Sequence, residues 1–448
     1  MASALKVLMM KSVLISTLGD PSAWDPVEYI YDEFSFRSVF TLPLSNYITP
    51  KPDTIILVVL DTIIDEKTSS YGDLVEKVRS KYIDLISKEA GLSCDRAKII
   101  VAPGVGRFRP KNKDLLFNFI GSLSDFYAYI TFEISKLLAE SEMEVTIHLD
   151  LTHGINFMPS LTLLATKKIA SVLALTRNNV RLKVYNAEPY RKGITERLNI
   201  HLVEDSPAVI EYDLMPLGAK GKCVLLKGNV ISREGDLRTL TSNCDKMRHK
   251  LNSFLSSVFN GLPLALYTFY PDIAELENTI EKIVEIWREN INVALNGNEV
   301  YVKRNLSFSG DFIKLTQIWL IAKTLNLSRR AEVSYKELDS LREDFFSKFS
   351  EKIDSMISRD LYRVERNVEE KREKCKDWVK LRTIYGESKD FTERDFLAHS
   401  GLEMNVTEVK YDGQSIMLRY TEDEMKNVIK GCLHGLLKVK QIATPVED

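Results

Sequence analysis

Short β-branched and aliphatic runs alternate with stretches of helical spacing through the first half of the chain. Residues 7–17, 54–60, 98–102, 144–151 and 180–186 read as strands, most of them near-continuous apolar runs, the pattern of strands covered on both faces in a parallel sheet. Between them, residues 73–90 and 115–138 read as helices, the second with Leu116, Phe119, Ile120, Leu123, Phe126, Tyr127 and Ile130 on one stripe. A third helix, over 155–171, is apolar nearly all round and is therefore expected to be buried. The order β-α-β-α-β predicts an open, doubly wound α/β sheet. A hairpin pairing 199–203 with 209–213 is expected to close it.

The pattern loosens over 215–261, a basic, glycine-punctuated stretch that reads as a connector or small inserted subdomain. Beyond it the chain is mainly α-helical, with helices expected over 273–295, 307–325 and 336–357. In 359–382, nine basic and six acidic residues share 24 positions. That density fits a solvated helix laced with ion pairs and also permits a surface facing RNA. Asp412-Gly413 marks a hairpin turn between 407–410 and 415–420, and a last helix covers 422–437. Three spans follow: 1–214, 215–261 and 262–448.

Charge narrows the function less than the pattern does. Sixty-one Lys and Arg against 63 Asp and Glu leave a net charge of −2, which excludes a globally basic nucleic-acid binder but not a local groove. Five scattered cysteines (Cys94, Cys223, Cys244, Cys375, Cys432) without a C-x-x-C pair argue against a disulfide framework or zinc ribbon and for reduced thiols. No apolar run approaches 18 residues and no signal peptide is evident, so a cytoplasmic protein without a membrane partner is expected. A scarcity of glutamine beside abundant Lys and Glu has a thermophile's bias.

Two loops at strand carboxyl ends stand where open α/β sheets bind ligands. The first strand ends in Ser16-Thr17-Leu18-Gly19-Asp20, where glycine admits a ligand close to the backbone and hydroxyls can meet phosphate or ribose. The fourth ends in Asp150-Leu151-Thr152-His153-Gly154-Ile155-Asn156 and runs into the buried helix, whose first N–H groups form an anion site. His148, Asp150 and His153 could be a metal cluster, but strand alternation puts His153 past the face the other two share; structural or ligand contacts are expected instead. The loop Pro103–Phe108 lacks the third glycine of a dinucleotide fingerprint, and Arg107 is its candidate donor.

In the helical half, residues 391–403 form a short helix with Thr392 as N-cap and Gly401 as stop. Arg394 and His399 lie five residues and about 140° apart on it. Arginine can clamp a phosphodiester, and imidazole can move the proton of a ribose 2′-hydroxyl near neutral pH. Equally, His399 could cap its helix and Arg394 pair with a neighbouring acid.

Arg394-Asp395-Phe396-Leu397-Ala398-His399 resembles the Arg-polar-x-x-x-His motif of HEPN ribonucleases. Asp150-Leu151-Thr152-His153-Gly154 resembles the fourth-strand motif of CARF domains, the Rossmann-like sensors of CRISPR systems. Together they resemble the CARF–HEPN ancillary ribonucleases of type III CRISPR defence. The resemblance implies a homodimer, or an assembly of dimers, that binds a cyclic oligoadenylate activator, cyclic tetra-adenylate in our reading, across its two CARF domains. It implies activator contacts from Thr17, Leu18, Gly19, Asp20, Asp150, Thr152, His153, Gly154 and Asn156. It further implies metal-independent cleavage of single-stranded RNA by Arg394 and His399 of both copies, with Asp395 orienting His399 and no cofactor. The alternatives are a ligand-responsive transcription regulator, with 215–261 as a winged-helix DNA reader, and a toxin–antitoxin or nucleotide-modifying member of the helical group.

Overall fold

The structure, a computed structural model, describes residues 10–89, 96–111 and 113–437. The first half runs β1 (Met10–Thr17), β2 (Val27–Tyr31), β3 (Phe34–Ser38), β4 (Thr54–Leu60), α1 (Tyr71–Glu89), β5 (Ala97–Ala102), β6 (Gly106–Phe108), β7 (Leu116–Ile120), α2 (Leu123–Leu138), β8 (Ser141–Asp150), α3 (Phe157–Thr176), β9 (Asn179–Ala187) and β10 (Arg197–Pro207). Eight strands form one sheet in the order β3-β2-β10-β9-β8-β1-β4-β5. Its five strands from β9 to β5 are parallel, with Ile15 of β1 between Ile56 and Leu149. Covered on both faces, Val13–Ile15 and Ile55–Leu60 are fully buried, which is why these strands lack alternation. The chain winds from β1 toward β4 and β5 on one side and β8 and β9 on the other, leaving a switch point at the carboxyl end of β1.

Two expectations fail here. Residues 116–120 are a strand, and the helix begins only after Gly121, where the Ser122 hydroxyl accepts from the Ser124 N–H at 3.2 Å. Residues 209–213 form no strand; β10 instead pairs antiparallel along β9, with a register shift between Leu202 and Glu204. The helix α3 is, by length and composition, apolar enough to cross a bilayer although Thr, Ser and Lys interrupt it; 56% of that window is buried inside the fold.

The second half runs β11 (Leu226–Gly228), α4 (Glu234–Asn260), α5 (Pro263–Thr268), α6 (Ile273–Glu289), β12 (Ile291–Asn296), β13 (Glu299–Arg304), β14 (Leu306–Phe308), α7 (Gly310–Leu325), β15 (Glu332–Ser334), α8 (Tyr335–Asp344), α9 (Glu351–Glu370), β16 (Val379–Lys380), α10 (Leu381–Tyr385), α11 (Glu393–Ala398), β17 (Thr407–Tyr411), β18 (Ile416–Tyr420) and α12 (Met425–Leu437). The expected helix 273–295 stops at Glu289, and 291–304 is a hairpin turning at Gly297, which takes φ +59°. The expected 336–357 helix breaks at the aromatic cluster Phe345, Phe346 and Phe349, after which Ser350 caps α9. In the charge-dense stretch 359–382, α9 ends at Glu370, a single tight turn covers Arg372–Cys375, and α10 begins at Leu381. The 215–261 stretch is mostly the helix α4, so a winged-helix reader is not what it builds. Cys223 and Cys244, unpaired in sequence pattern, meet at 3.4 Å between sulfurs, both reduced and buried; Cys94 lies outside the described residues.

The chain clusters into two compact units. One holds residues 1–211, 225–237 and 280–320; the other holds 212–224, 238–279 and 321–448. Sequence order suggests three successive spans, yet 280–320 joins the first unit. The reason is pairing: β13 runs parallel to β7 in the sheet β12-β13-β7-β6, and β14 pairs with β11. The second unit carries the sheet β15-β18-β17-β16 among its helices, with the expected 407–420 hairpin as β17 and β18.

Candidate functional site

In the first unit, the carboxyl ends of β1 and β4 and the start of α3 open on a cleft of about 330 Å³. Gly19, Asp20 and Gly154 line it, as the sequence led us to expect. Their loops touch closely: a Cβ on Gly19 would stand 3.5 Å from the Gly154 nitrogen. Gly154 itself has φ +118°, and a side chain there would press on Met158 and Thr17 at 3.3 and 3.4 Å.

The remaining motif residues, Asn156 apart, turn inward and build the frame. Asp150, 1% exposed, accepts from the Ser16 hydroxyl at 3.0 Å, the Thr41 hydroxyl, and the Thr152 N–H at 3.0 Å. The Thr17 hydroxyl donates to the His153 carbonyl, the Leu18 N–H to Val58, and Thr152 accepts from the Ala187 N–H. His153 is enclosed by Trp24, Tyr29 and Phe40, with Nε2 3.3 Å from the Tyr29 hydroxyl. Burial pulls its pKa down to about 4, so the ring is neutral. Asn156 is exposed before α3 and caps nothing. His148 does not converge with His153, because its nitrogens meet the Tyr185 hydroxyl at 2.9 Å and the Pro50 carbonyl at 3.0 Å.

The cleft's charge comes from residues the motifs did not include. Lys81 on α1 and Arg109 and Lys111 beyond β6 face Asp20 and Asp65, an excess of cations suited to an anion. Trp24 adds an aromatic face, stacked on Tyr190 at 4.3 Å. The loop between β5 and β6 that carries the chain to Arg109 is anchored below by a buried ion pair. Arg304 and Asp61 are both fully enclosed; Gly104 donates its N–H to Asp61 at 2.8 Å and accepts from Arg304 at 2.7 Å. Tyr71 donates to the same carboxylate at 3.0 Å, so the buried carboxylate has three donors, while Arg304 Nε has no partner among the described residues. The basic Arg109-Pro110-Lys111 run, directly after the Pro103–Phe108 loop, was the available signal. Lys81 had none.

In the second unit, Thr392 caps α11 by accepting from the Asp395 N–H at 3.0 Å. Ser400 at φ +52° and Gly401 at φ +77° then turn the chain, leaving His399 as the helix's last cap. Phe396 anchors the helix, fully buried. His399 remains 38% exposed, with Nδ1 3.3 Å from Asp360 on α9 and no protein partner for Nε2 among the described residues. Asp360 is buried and also accepts from the Ser400 hydroxyl at 3.1 Å. Asp395, expected to orient His399, is instead paired with Lys389 at 2.7 Å, which holds its carboxyl below the usual range. Arg394 is exposed, without a partner among the described residues, and lies outside the small hollow of about 70 Å³ beside His399. One chain thus presents both motif side chains to solvent without joining them in one pocket.

Residues 13–189 match the family model for the CARF domain of the CRISPR system endoribonuclease Csx1, and residues 350–422 match that family's HEPN domain. The CRISPR system endoribonuclease Csx1 of Methanocaldococcus jannaschii is 32% identical over 446 residues, 94% of each chain. The chain belongs to the Csx1 family of CRISPR endoribonucleases. The cleft's motif loops fall inside the CARF match, and Asp360, Arg394 and His399 inside the HEPN match. Membership carries the α/β CARF and mainly helical HEPN architecture and the endoribonuclease activity, and it sets the DNA-binding regulator aside. A solved structure of Enterococcus italicus Csm6 bound to cyclic hexa-2′-fluoro-hexa-dAMP aligns over 97% of this chain and 95% of that one. At 12% identity and a TM-score of 0.24, that likeness carries no argument here.

Proposed function

We propose that this Csx1-family chain is a metal-independent, single-strand-specific endoribonuclease of type III CRISPR defence, switched on in the cytoplasm by cyclic oligoadenylate. The observation that carries the reading is the pair of solvent-facing groups at α11: Arg394, without a hydrogen-bond or ion-pair partner among the described residues, and His399, whose Nε2 has none among them. His399 takes the proton of a ribose 2′-hydroxyl, whose oxygen bonds to the adjacent phosphorus while the 5′-oxygen leaves and takes a proton from the second copy's His399 in its protonated, imidazolium form. The products are a 2′,3′-cyclic phosphate and a 5′-hydroxyl. Arg394 holds the phosphate and offsets the charge that develops on it. Because Arg394 and His399 share no hollow in one chain, a homodimer supplies the complete set from two copies.

The activator's phosphates suit the cleft's Lys81, Arg109 and Lys111 and the N–H groups at the start of α3; Trp24 suits an adenine face. A ring with two-fold symmetry fits two copies of such a cleft, and cyclic tetra-adenylate is the ring we expect. Activation requires that the ring bind the cleaving state more tightly than the resting one. The test is cleavage of labelled single-stranded RNA in EDTA, with and without cyclic tetra-adenylate, for wild type and His399→Ala. Messenger-dependent cleavage absent from the variant supports the reading. Cleavage that needs His399 but no messenger of any ring size overturns the sensor half; cleavage that persists in His399→Ala overturns the nuclease half.

A further inference from the structure

Resting on that reading of the His399 site, we infer that Asp360 is the positioning residue of the cleavage reaction. It holds His399 in the tautomer whose Nε2 is free to accept the 2′-hydroxyl proton. Asp360 stands on the flank of α9 beside the buried residues Ile357, Leu361 and Val364, and is only 4% exposed. A carboxylate in such a place persists only with partners. It has three: its neighbour Arg359 at 3.2 Å, the Ser400 hydroxyl at 3.1 Å and His399 Nδ1 at 3.3 Å.

An ionised carboxylate only accepts, so the neutral imidazole facing it carries its proton on Nδ1 and its lone pair on Nε2. The left-handed turn at Ser400 and Gly401 brings two consecutive side chains onto one carboxylate, which fixes the ring's direction as well as its tautomer. Arg359 strengthens the clamp by donating to the Ala398 carbonyl at 3.0 Å, tying α9 to the end of α11.

The other charged groups around the hollow are engaged elsewhere. Arg363 pairs with Glu387, Lys389 with Asp395, and Glu403 accepts from Asn405 at 2.9 Å. Asp360 is therefore the carboxylate left to the ring. The sequence hid it, because 39 residues separate it from His399.

The experiment compares wild type, Asp360→Ala, Asp360→Asn and His399→Ala as full-length chains. RNA cleavage, RNA affinity and nitrogen NMR of the histidine ring are measured on each. We expect Asp360→Ala to lower kcat about 10²-fold at unchanged KM. Its His399 signal should move from the Nδ1–H form to a mixture, and Asp360→Asn should fall between it and wild type. If Asp360→Ala does not fold, Asp360→Asn carries the test. A folded variant with the wild-type tautomer and kcat overturns the role. An active His399→Ala variant removes the nuclease reading beneath it, a failure distinct from an unchanged ring signal.

Discussion

The two motif regions use their sequence signatures in opposite ways. At the sheet end, Thr17, Asp150 and His153 are buried and bonded to their own loops, while the cleft takes its charge from Lys81, Arg109 and Lys111. On α11, the motif's Arg394 and His399 are presented to solvent, and the bonded residue is Asp360, outside the motif. The first signature specifies a backbone shape, two glycine-bearing loops locked together; the second specifies chemistry. A motif residue's role therefore follows from where its hydrogen bonds go.

Paired substitutions break this comparison most directly. Arg394→Ala should cost about 10³-fold in RNA cleavage with no change in the melting transition, because the side chain is exposed and loses no hydrogen bond or ion pair among the described residues. Asp150→Ala should cost on the order of 3 kcal/mol of stability, since it strands two hydroxyls and an N–H in a buried loop. Denaturant unfolding of both variants checks the contrast. An Asp150→Ala chain as stable as wild type but blind to the activator would make Asp150 a contact and not a frame.

Acid sharpens the difference next. Burial pulls His148 and His153 down to about 4, so as pH falls from 6.5 toward 4 the unfolded chain binds protons that these folded rings refuse. Stability is lost across that window, on the order of 3 kcal/mol per ring. Burial pushes Asp125 up to about 6, and its folded form gains a proton early, returning a similar amount between pH 6 and 4. Unfolding curves at pH 7 and 4.5 should show a net loss, and Asp125→Asn should steepen it. The smallest expected effect is on the cleft: Arg109→Ala with Lys111→Ala should weaken cyclic tetra-adenylate binding about 10-fold by calorimetry, leaving the unliganded protein's stability unchanged, as both side chains are exposed.

Legibility followed distance along the chain. The parallel strands were readable because burial on both faces leaves an unbroken apolar run, as in Ile55–Leu60. The α11 cap and stop were readable because Thr392 and Gly401 act within a few residues of their partners. Strand β7 was misread as helix because its five apolar-rich residues adjoin a true helical stripe, and what makes it a strand is β13, more than 180 residues away. The ion pair of Asp61 with Arg304 was invisible for the same reason.

By itself the sequence determined the family signatures, the sheet class and the positions of Gly19, Gly154, Arg394 and His399, because each depends on local backbone conformation or side-chain identity. Tertiary structure alone decided that 280–320 completes the first unit, that Lys81, Arg109 and Lys111 charge the cleft, and that Asp360 meets His399. Hydrogen bonds and ion pairs are short-ranged in space and indifferent to chain separation, so only the folded path says which side chains they join.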